Sequence, residues 1–524
     1  MWPDLGRDSI TNRIMAVLAL LAIGIALWHL HAAQVGVNIT PVSIDGTPAT
    51  IYRPASVGPA PVVVIAHGFA GSQQLMQSFA LTFARNGYIA VTFDFLGHGR
   101  NPAPLTGSIT EETGATRALL TQLAQVAKFA RGLGDGGLAV LGHSMACDIV
   151  VRFAEATPEV AATIAVSMFS PAVTATAPRN LLVIAGAWEG PLTREALRAV
   201  QLATAPATAQ MDITYGNVAN GTGRRASISP HVDHVSVLYS QHTLRESIDW
   251  LDQTFGMRRT QPPLLDARGP WILLLFGAIV LLARPLATLL PRVAYSWMGA
   301  GLPWRRLWLP LIVPMLATPL LLRILPTHFL PVLVGDYLAC HFAIYGLITA
   351  LCLSLRPAKA ADSAIAARPA SAAQRLPYSR TALIAATSAV IAFGFIGLVW
   401  PINSYFTSFL PGPGRFVLIL AMLVGTLLFF VSDEWMTRGQ HAARGAYAAS
   451  KLAFSISLAI AVALDPQRLF FLIIIVPVIV IFFIVYGLFS SWSYRQTRHP
   501  LVAGIANAVA FAWAIGVTFP LLAG

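Results

Sequence analysis

The apolar positions of the chain follow two patterns, and the change comes near residue 271. Before it the apolar runs are short. Val37–Ile44 and Ala49–Arg53 alternate apolar and polar positions around the turn Asp45-Gly46, the period of strands with one buried face. Pro61–Ala66, Ala90–Phe93, Leu138–Leu141, Thr163–Met168 and Leu181–Ala185 are continuous short apolar runs, as strands buried on both faces of a parallel sheet should be. Glu111–Arg131, Ala146–Glu155 and Val235–Leu251 carry apolar residues at helical spacing. Strands alternating with helices predict a mostly parallel α/β sheet with flanking helices.

The second pattern is one of long runs. One lies at Ile14–Leu30, and eight follow from Trp271, near 271–290, 307–325, 331–355, 381–401, 414–432, 447–464, 469–490 and 501–521. Each is close to the length that crosses the ~30 Å hydrocarbon core of a bilayer. The expected organisation is an N-terminal signal anchor or transmembrane helix over 1–33, an α/β domain over 34–256, a linker over 257–270 and a multi-pass domain over 271–524. No clear small-x-small cleavage site precedes Gln34, which favours an uncleaved anchor.

Composition agrees: 56% of the residues are hydrophobic and 11% charged, with a mean hydropathy of +0.65. A net charge of +12 invites a nucleic-acid partner, but the basic residues gather in the loops between apolar runs. Cys147, Cys340 and Cys352 are the three cysteines, so the α/β segment holds one alone and has no internal disulfide. No metal-ligand cysteine spacing occurs, and neither metal nor cofactor is expected.

Gly137-Leu-Ala-Val-Leu-Gly-His-Ser-Met-Ala-Cys147 reads as strand, sharp turn and helix with Ser144 at the apex, the context of a nucleophile elbow. Such a turn needs small residues two before and two after the serine, and Gly142 and Ala146 meet that need. Three further motifs stand in order with it. His67-Gly68-Phe69 follows the strand at Pro61, Asp94-Phe-Leu-Gly97-His-Gly99 follows the next, and Gly186-Ala-Trp-Glu189 follows the strand at Leu181. In this order residues 50–255 resemble the α/β-hydrolase superfamily, specifically a serine hydrolase of the esterase or lipase kind fused to a membrane domain.

The resemblance implies a nucleophile, an acid and a histidine, in that order along the chain. Ser144 is the expected nucleophile. Glu189 stands where the family puts its acid, although Asp is more usual there; Asp212 and Asp233 are the rivals. His234 lies immediately before the last helix, where the family places its base, with His231 as rival and His242 inside that helix. The backbone N–H groups of Met145 and Phe69 are the expected oxyanion donors. His67, His98 and His143 are expected to shape loops or support the site. Between Ser170 and Leu181 there is no room for the helical cap that relatives often insert, so the pocket is expected to be open and to suit an acyl ester with a long or bulky acyl group.

With the N-terminus inside, nine spans put Arg284, Arg292, Arg305 and Arg306, then Arg356, Lys359, Arg368, Arg375 and Arg380, then Arg438 and Arg444, then Arg495 and Arg498 in cytoplasmic loops. That is the positive-inside arrangement, and it places the hydrolase-like segment on the extracytoplasmic side of a cell (inner) membrane. The loop 356–380, rich in Ala, Pro and Ser, is expected as a flexible linker. Arg323 and Asp336 fall at equal depth on the two arms of a hairpin and are expected to pair, with His341 deeper. Three functions remain open: a membrane-bound serine esterase, a transporter or signalling protein with an accessory hydrolase-like domain, and an acyltransferase using the same residues. The expected partners are the lipid bilayer and a hydrophobic acyl-ester substrate.

Overall fold

The computed structural model describes residues 9–55, 58–107, 112–355 and 377–523. Most of the expected linker 356–380, the N-terminal residues before Ser9, and Glu111 lie outside the described residues. Two compact units emerge. One holds residues 23–275, 400–413 and 520–524; the other holds 1–22, 276–399 and 414–519.

The first unit is built on a nine-stranded sheet in the order β1-β2-β4-β3-β5-β6-β7-β9-β8. The strands are β1 (Val37–Ile44), β2 (Thr47–Pro54), β3 (Val62–Ala66), β4 (Ile89–Phe93), β5 (Leu138–His143), β6 (Val160–Val166), β7 (Leu181–Gly186), β8 (Thr214–Tyr215) and β9 (Arg224–Ser229). From β4 to β9 the neighbours run parallel, while β1, β2 and β8 close the edges antiparallel. The continuous apolar runs are central because both faces are covered. Val62, Val64 and Ala66 join a core with Leu123, Val126 and Val150, whereas Val63 and Ile65 join another with Phe79, Phe83 and Trp250. Burying one such side chain is worth about 1.5–3 kcal/mol. A polar substitution anywhere in β3 therefore meets a packed helix.

The helices α2 (Gln77–Arg85) and α6 (Gln241–Phe255) cover one face, and α3 (Arg117–Arg131) and α4 (Met145–Ala156) the other; α5 (Gly190–Thr204) packs beside β7 and β9. α1 (Ser9–Ala32) precedes the sheet. The stretch read as one helix from Val235 is broken: a 3-10 turn at Ser236–Tyr239 ends at Ser240, and α6 starts at Gln241. No helix forms in residues 167–180, so no cap is inserted there. Two segments distant in sequence complete this unit. Ser408 N–H donates to Ser72 Oγ at 2.7 Å and Phe406 stacks on Tyr239, while Leu521 pairs with Gly97 and Leu105 through backbone bonds of 2.8–2.9 Å. The stretch 257–270, expected as a linker, is anchored to this unit, because Asn86 bonds both the N–H and the carbonyl of Leu264.

The second unit is helical. Among the described residues nine helices are long and apolar enough to cross a membrane; α1 starts in this unit and ends outside it, α7 (Arg268–Ala287) starts outside it and ends within, and α8 (Trp304–Ile324) and α9 (Gly335–Ser354) lie wholly within it. Five more follow, beginning at Arg380, Arg415, Ala446, Phe471 and Pro500. α9 and the helix Arg415–Thr437 approach closely at small residues. A Cβ on Gly425 would meet the Ala339 carbonyl at 2.2 Å, and one on Gly346 would meet Leu428 at 2.4 Å. Membrane helices commonly associate through such contacts.

The expected Arg323–Asp336 pair does not form. Arg323 Nη1 lies 3.8 Å from Asp465 Oδ2, and the Asp336 carboxylate accepts the N–H groups of Tyr337 at 2.8 Å and Phe329 at 3.2 Å. Equal depth fixes height but not azimuth. Asp336 sits in the first turn of α9, where unpaired backbone N–H groups offer a carboxylate nearer partners.

Candidate active site

Ser144 closes β5 and opens α4 with φ 55° and ψ −118°, a conformation uncommon for a residue with a side chain. The turn is tight enough that a Cβ at Gly142 would lie 2.7 Å from the Ala146 carbonyl. Ser144 N–H donates to the Val166 carbonyl at 2.9 Å, tying the turn to β6. A strained apex held from both sides presents its hydroxyl in one direction.

The side chain of His234 stands at that hydroxyl. Its Nε2 is 2.9 Å from Ser144 Oγ, and its Nδ1 is 2.6 Å from Glu189 Oε1. Glu189 follows β7 in a turn, and its other oxygen accepts from Ser167 Oγ and the Gly186 N–H, both at 2.7 Å. Burial works to raise the Glu189 pKa, but the bonds from His234, Ser167 and Gly186 prevail and hold the carboxyl below its ordinary range. The acid is thus ionised and fully engaged.

The rival residues stand elsewhere. Asp212 accepts from Ser227 Oγ, and Asp233 accepts from Ser236 in its own turn. His242 Nε2 lies against Ser227 Oγ at 3.0 Å, and His231 occupies a turn position with φ 58°.

His143 precedes the serine, and its Nε2 donates to the His234 carbonyl at 2.9 Å. Burial, with His234 beside it, lowers its pKa to about 3, so it anchors the histidine loop as a neutral ring. His67 behaves alike: Nδ1 donates to the Gly68 carbonyl, Nε2 accepts the Phe95 N–H, and burial lowers its pKa to about 4. Asp94 accepts from the Gln73 N–H at 2.8 Å and from the Arg100 N–H at 3.1 Å, joining the turn after β4 to the loop after β3. A Cβ at Gly99 would lie 2.5 Å from that carboxylate, which accounts for the glycine. Gly68 lies against the nucleophile from the β3 side, the Phe69 ring meets His98, and Met145 is the first residue of α4.

Sequence reasoning missed Ser167. Nothing in its local pattern marks it; its position just beyond β6, beside the strand end that carries Glu189, was the available signal. Apolar side chains flank the chemistry, with Trp188 and Phe169 about two-thirds exposed and Val235 at 41%. No group of three or more potential metal ligands occurs among the described residues.

Residues 58–213 match the family model Hydrolase_4, described as serine aminopeptidase, S33. The match takes in Ser144 and Glu189 and stops short of His234. Solved structures that the chain matches in part include a dienelactone hydrolase from Anabaena variabilis (14% identity, 41% of this chain and 97% of that one, TM-score 0.31). An epoxide hydrolase, VrEH1, from Vigna radiata is 24% identical over 26% of this chain and 40% of its own, with a TM-score of 0.21. A CIB-like hydrolase from Thermoplasma acidophilum is 16% identical, covering 41% of this chain and 97% of that one, with a TM-score of 0.32. No curated protein matches the chain.

Proposed function

We infer that this α/β-hydrolase, joined in one chain to a multi-pass set of apolar helices, is a membrane-bound serine esterase acting on the extracytoplasmic side. The observation that carries the reading is the continuous chain Glu189–His234–Ser144, with contacts of 2.6 and 2.9 Å. A serine hydroxyl is a weak nucleophile until a base takes its proton. His234 Nε2 takes that proton as Ser144 Oγ attacks the acyl carbonyl, and Glu189 holds the ring by Nδ1 and stabilises the imidazolium. The N–H groups of Met145 and Phe69 receive the oxyanion. The tetrahedral adduct collapses, the alkoxide leaves with the proton from His234, and water repeats the sequence on the acyl-serine.

The exposed Trp188, Phe169 and Val235 and the short 167–180 loop favour an ester with a bulky apolar acyl group. The basic residues in alternate loops support the orientation. The test is fluorophosphonate labelling of the purified chain with the modified residue located, together with turnover of p-nitrophenyl esters and aminoacyl anilides. Labelling at Ser144 with ester turnover is expected. Labelling elsewhere defeats the assignment, and preference for the anilide defeats the ester reading.

A further inference from the structure

The hydrolase reading leaves the interior of the helical unit without a task, and that interior is not uniformly apolar. Tyr337, His341, Tyr345 and Thr349 lie four residues apart on α9, all buried. Residues at that spacing share one helix face, and these four span about 18 Å of axis at ~1.5 Å per residue. His341 is fully buried, yet neither ring nitrogen has a hydrogen-bond partner among the described residues. The Tyr345 hydroxyl is likewise unpartnered, as is Ser457 Oγ, one turn beyond Phe454, whose ring touches both His341 and Tyr345.

Charged groups stand at both ends of this stripe. At the Tyr337 end, Arg468 lies 5.9 Å from the tyrosine ring, Asp336 is one residue away, and Asp465 pairs with Arg323. At the Tyr345 end the Phe429 ring lies beside both Tyr345, 5.5 Å between ring centroids, and the Lys451 ammonium, 4.7 Å from its centroid to Nζ, so the two polar groups stand on one aromatic neighbour with no direct hydrogen bond between them. Lys451 pairs with buried Asp433, which also accepts from Ser450, and Tyr447 lies against the same ammonium. Glu434 and Arg438 form a second buried pair one turn away, joined by Ser490.

We propose that this stripe is a proton path through the helical unit, running from Asp336 and Tyr337 through His341 and Tyr345 to the Asp433–Lys451 pair. Ionisable residues within a membrane bundle are costly and commonly mark ion or proton pathways. A ring with two unpaired nitrogens suits that task. One nitrogen accepts a proton while the other releases one, and water bridging the hydroxyls carries it between residues. Protons enter at one end and leave at the other with no other bond changed, driven by the gradient across the membrane. The proposal is independent of ester hydrolysis.

The full chain, purified and reconstituted in phosphatidylcholine–phosphatidylglycerol liposomes with an entrapped pH dye, tests it. A potassium diffusion potential set with valinomycin should drive a pH change faster than in protein-free liposomes. His341→Phe should reduce the rate to the protein-free level. Tyr345→Phe removes one oxygen from a packed ring and should lower it severalfold, which keeps the test decisive if the histidine variant fails to fold. A wild-type rate equal to that of empty liposomes overturns the proposal, as does wild-type flux in a correctly folded His341→Phe or Tyr345→Phe chain.

Discussion

Gly68 has no room for a side chain: a Cβ there would stand 3.0 Å from both Ser144 Cβ and His143 Nδ1. Neither can yield, since one is the elbow apex and the other anchors the His234 loop. Gly68→Ala should lower kcat about tenfold or more while the chain still inserts and elutes normally, because a displacement of ~1 Å near the reacting atoms is enough. Under the proposed function, in which the three side chains act as a unit, Glu189→Gln and His234→Ala should each lower kcat by roughly three to four orders of magnitude. If His231→Ala proves the damaging change and His234→Ala mild, the base is misassigned. His143 and His67 carry a pH effect. Both are neutral in the fold, with pKa values lowered from 6.5 to about 3 and about 4, so the unfolded chain binds more protons between those values and 6.5. Stability of this unit is therefore full above pH 6.5 and should fall progressively as the pH drops toward 4. Thermal melting in detergent across that range checks it; a midpoint that is flat or rises on acidification contradicts the buried neutral state.

The loop after β3 shows how one element is placed by others. Ser72 Oγ accepts the Ser408 N–H at 2.7 Å and lies 3.0 Å from Thr407 Oγ1, only three residues after Phe69. Ser72→Ala should lower kcat more than it raises KM, since a loosened donor costs transition-state binding first. Thr407→Val should act in the same direction; unchanged kcat in both would show that the loop stands without that segment. Such a contact could not be read from the sequence, because 335 positions separate Ser72 from Thr407. What was legible has a common cause. Ser144, Glu189 and His234 each sit at the end of a strand or before a helix, where apolar pattern and motif coincide. β9 was not legible: Arg224-Arg-Ala-Ser-Ile-Ser reads as polar, although Arg224, Ala226, Ser227 and Ser229 are buried. Its parallel pairing with β7 overrides that local pattern. The Arg323–Asp336 expectation failed for the opposite reason, a local cap prevailing over a long-range pair.

At the scale of the molecule, the arginines predict that a periplasm-active phosphatase fused after residue 256 is active and one fused within 356–380 is silent; the reverse pattern refutes the orientation. The division into units makes a stronger demand. Residues 400–413 and 520–524 belong with the nine-stranded sheet, though they are separated from it in sequence by the apolar helices. Leu521 and Ala523 exchange backbone bonds with Gly97 and Leu105, Leu522 packs against the core, and Phe406 stacks on Tyr239 at 6.3 Å. A fragment of residues 34–275 lacks all of these. The Leu105 N–H would lose its partner, and the apolar positions under Leu522 and Phe406 would meet water, each such loss costing on the order of 1–3 kcal/mol. The fragment should therefore melt well below the full chain and hydrolyse short esters more slowly, with kcat the more affected because the loop carrying Phe69 loses its support. Adding residues 276–524 as a separate chain in the same membrane should recover part of both. A fragment that turns over esters at the full chain's rate, with the same melting midpoint, would show that the two segments rest against the sheet unit without shaping it.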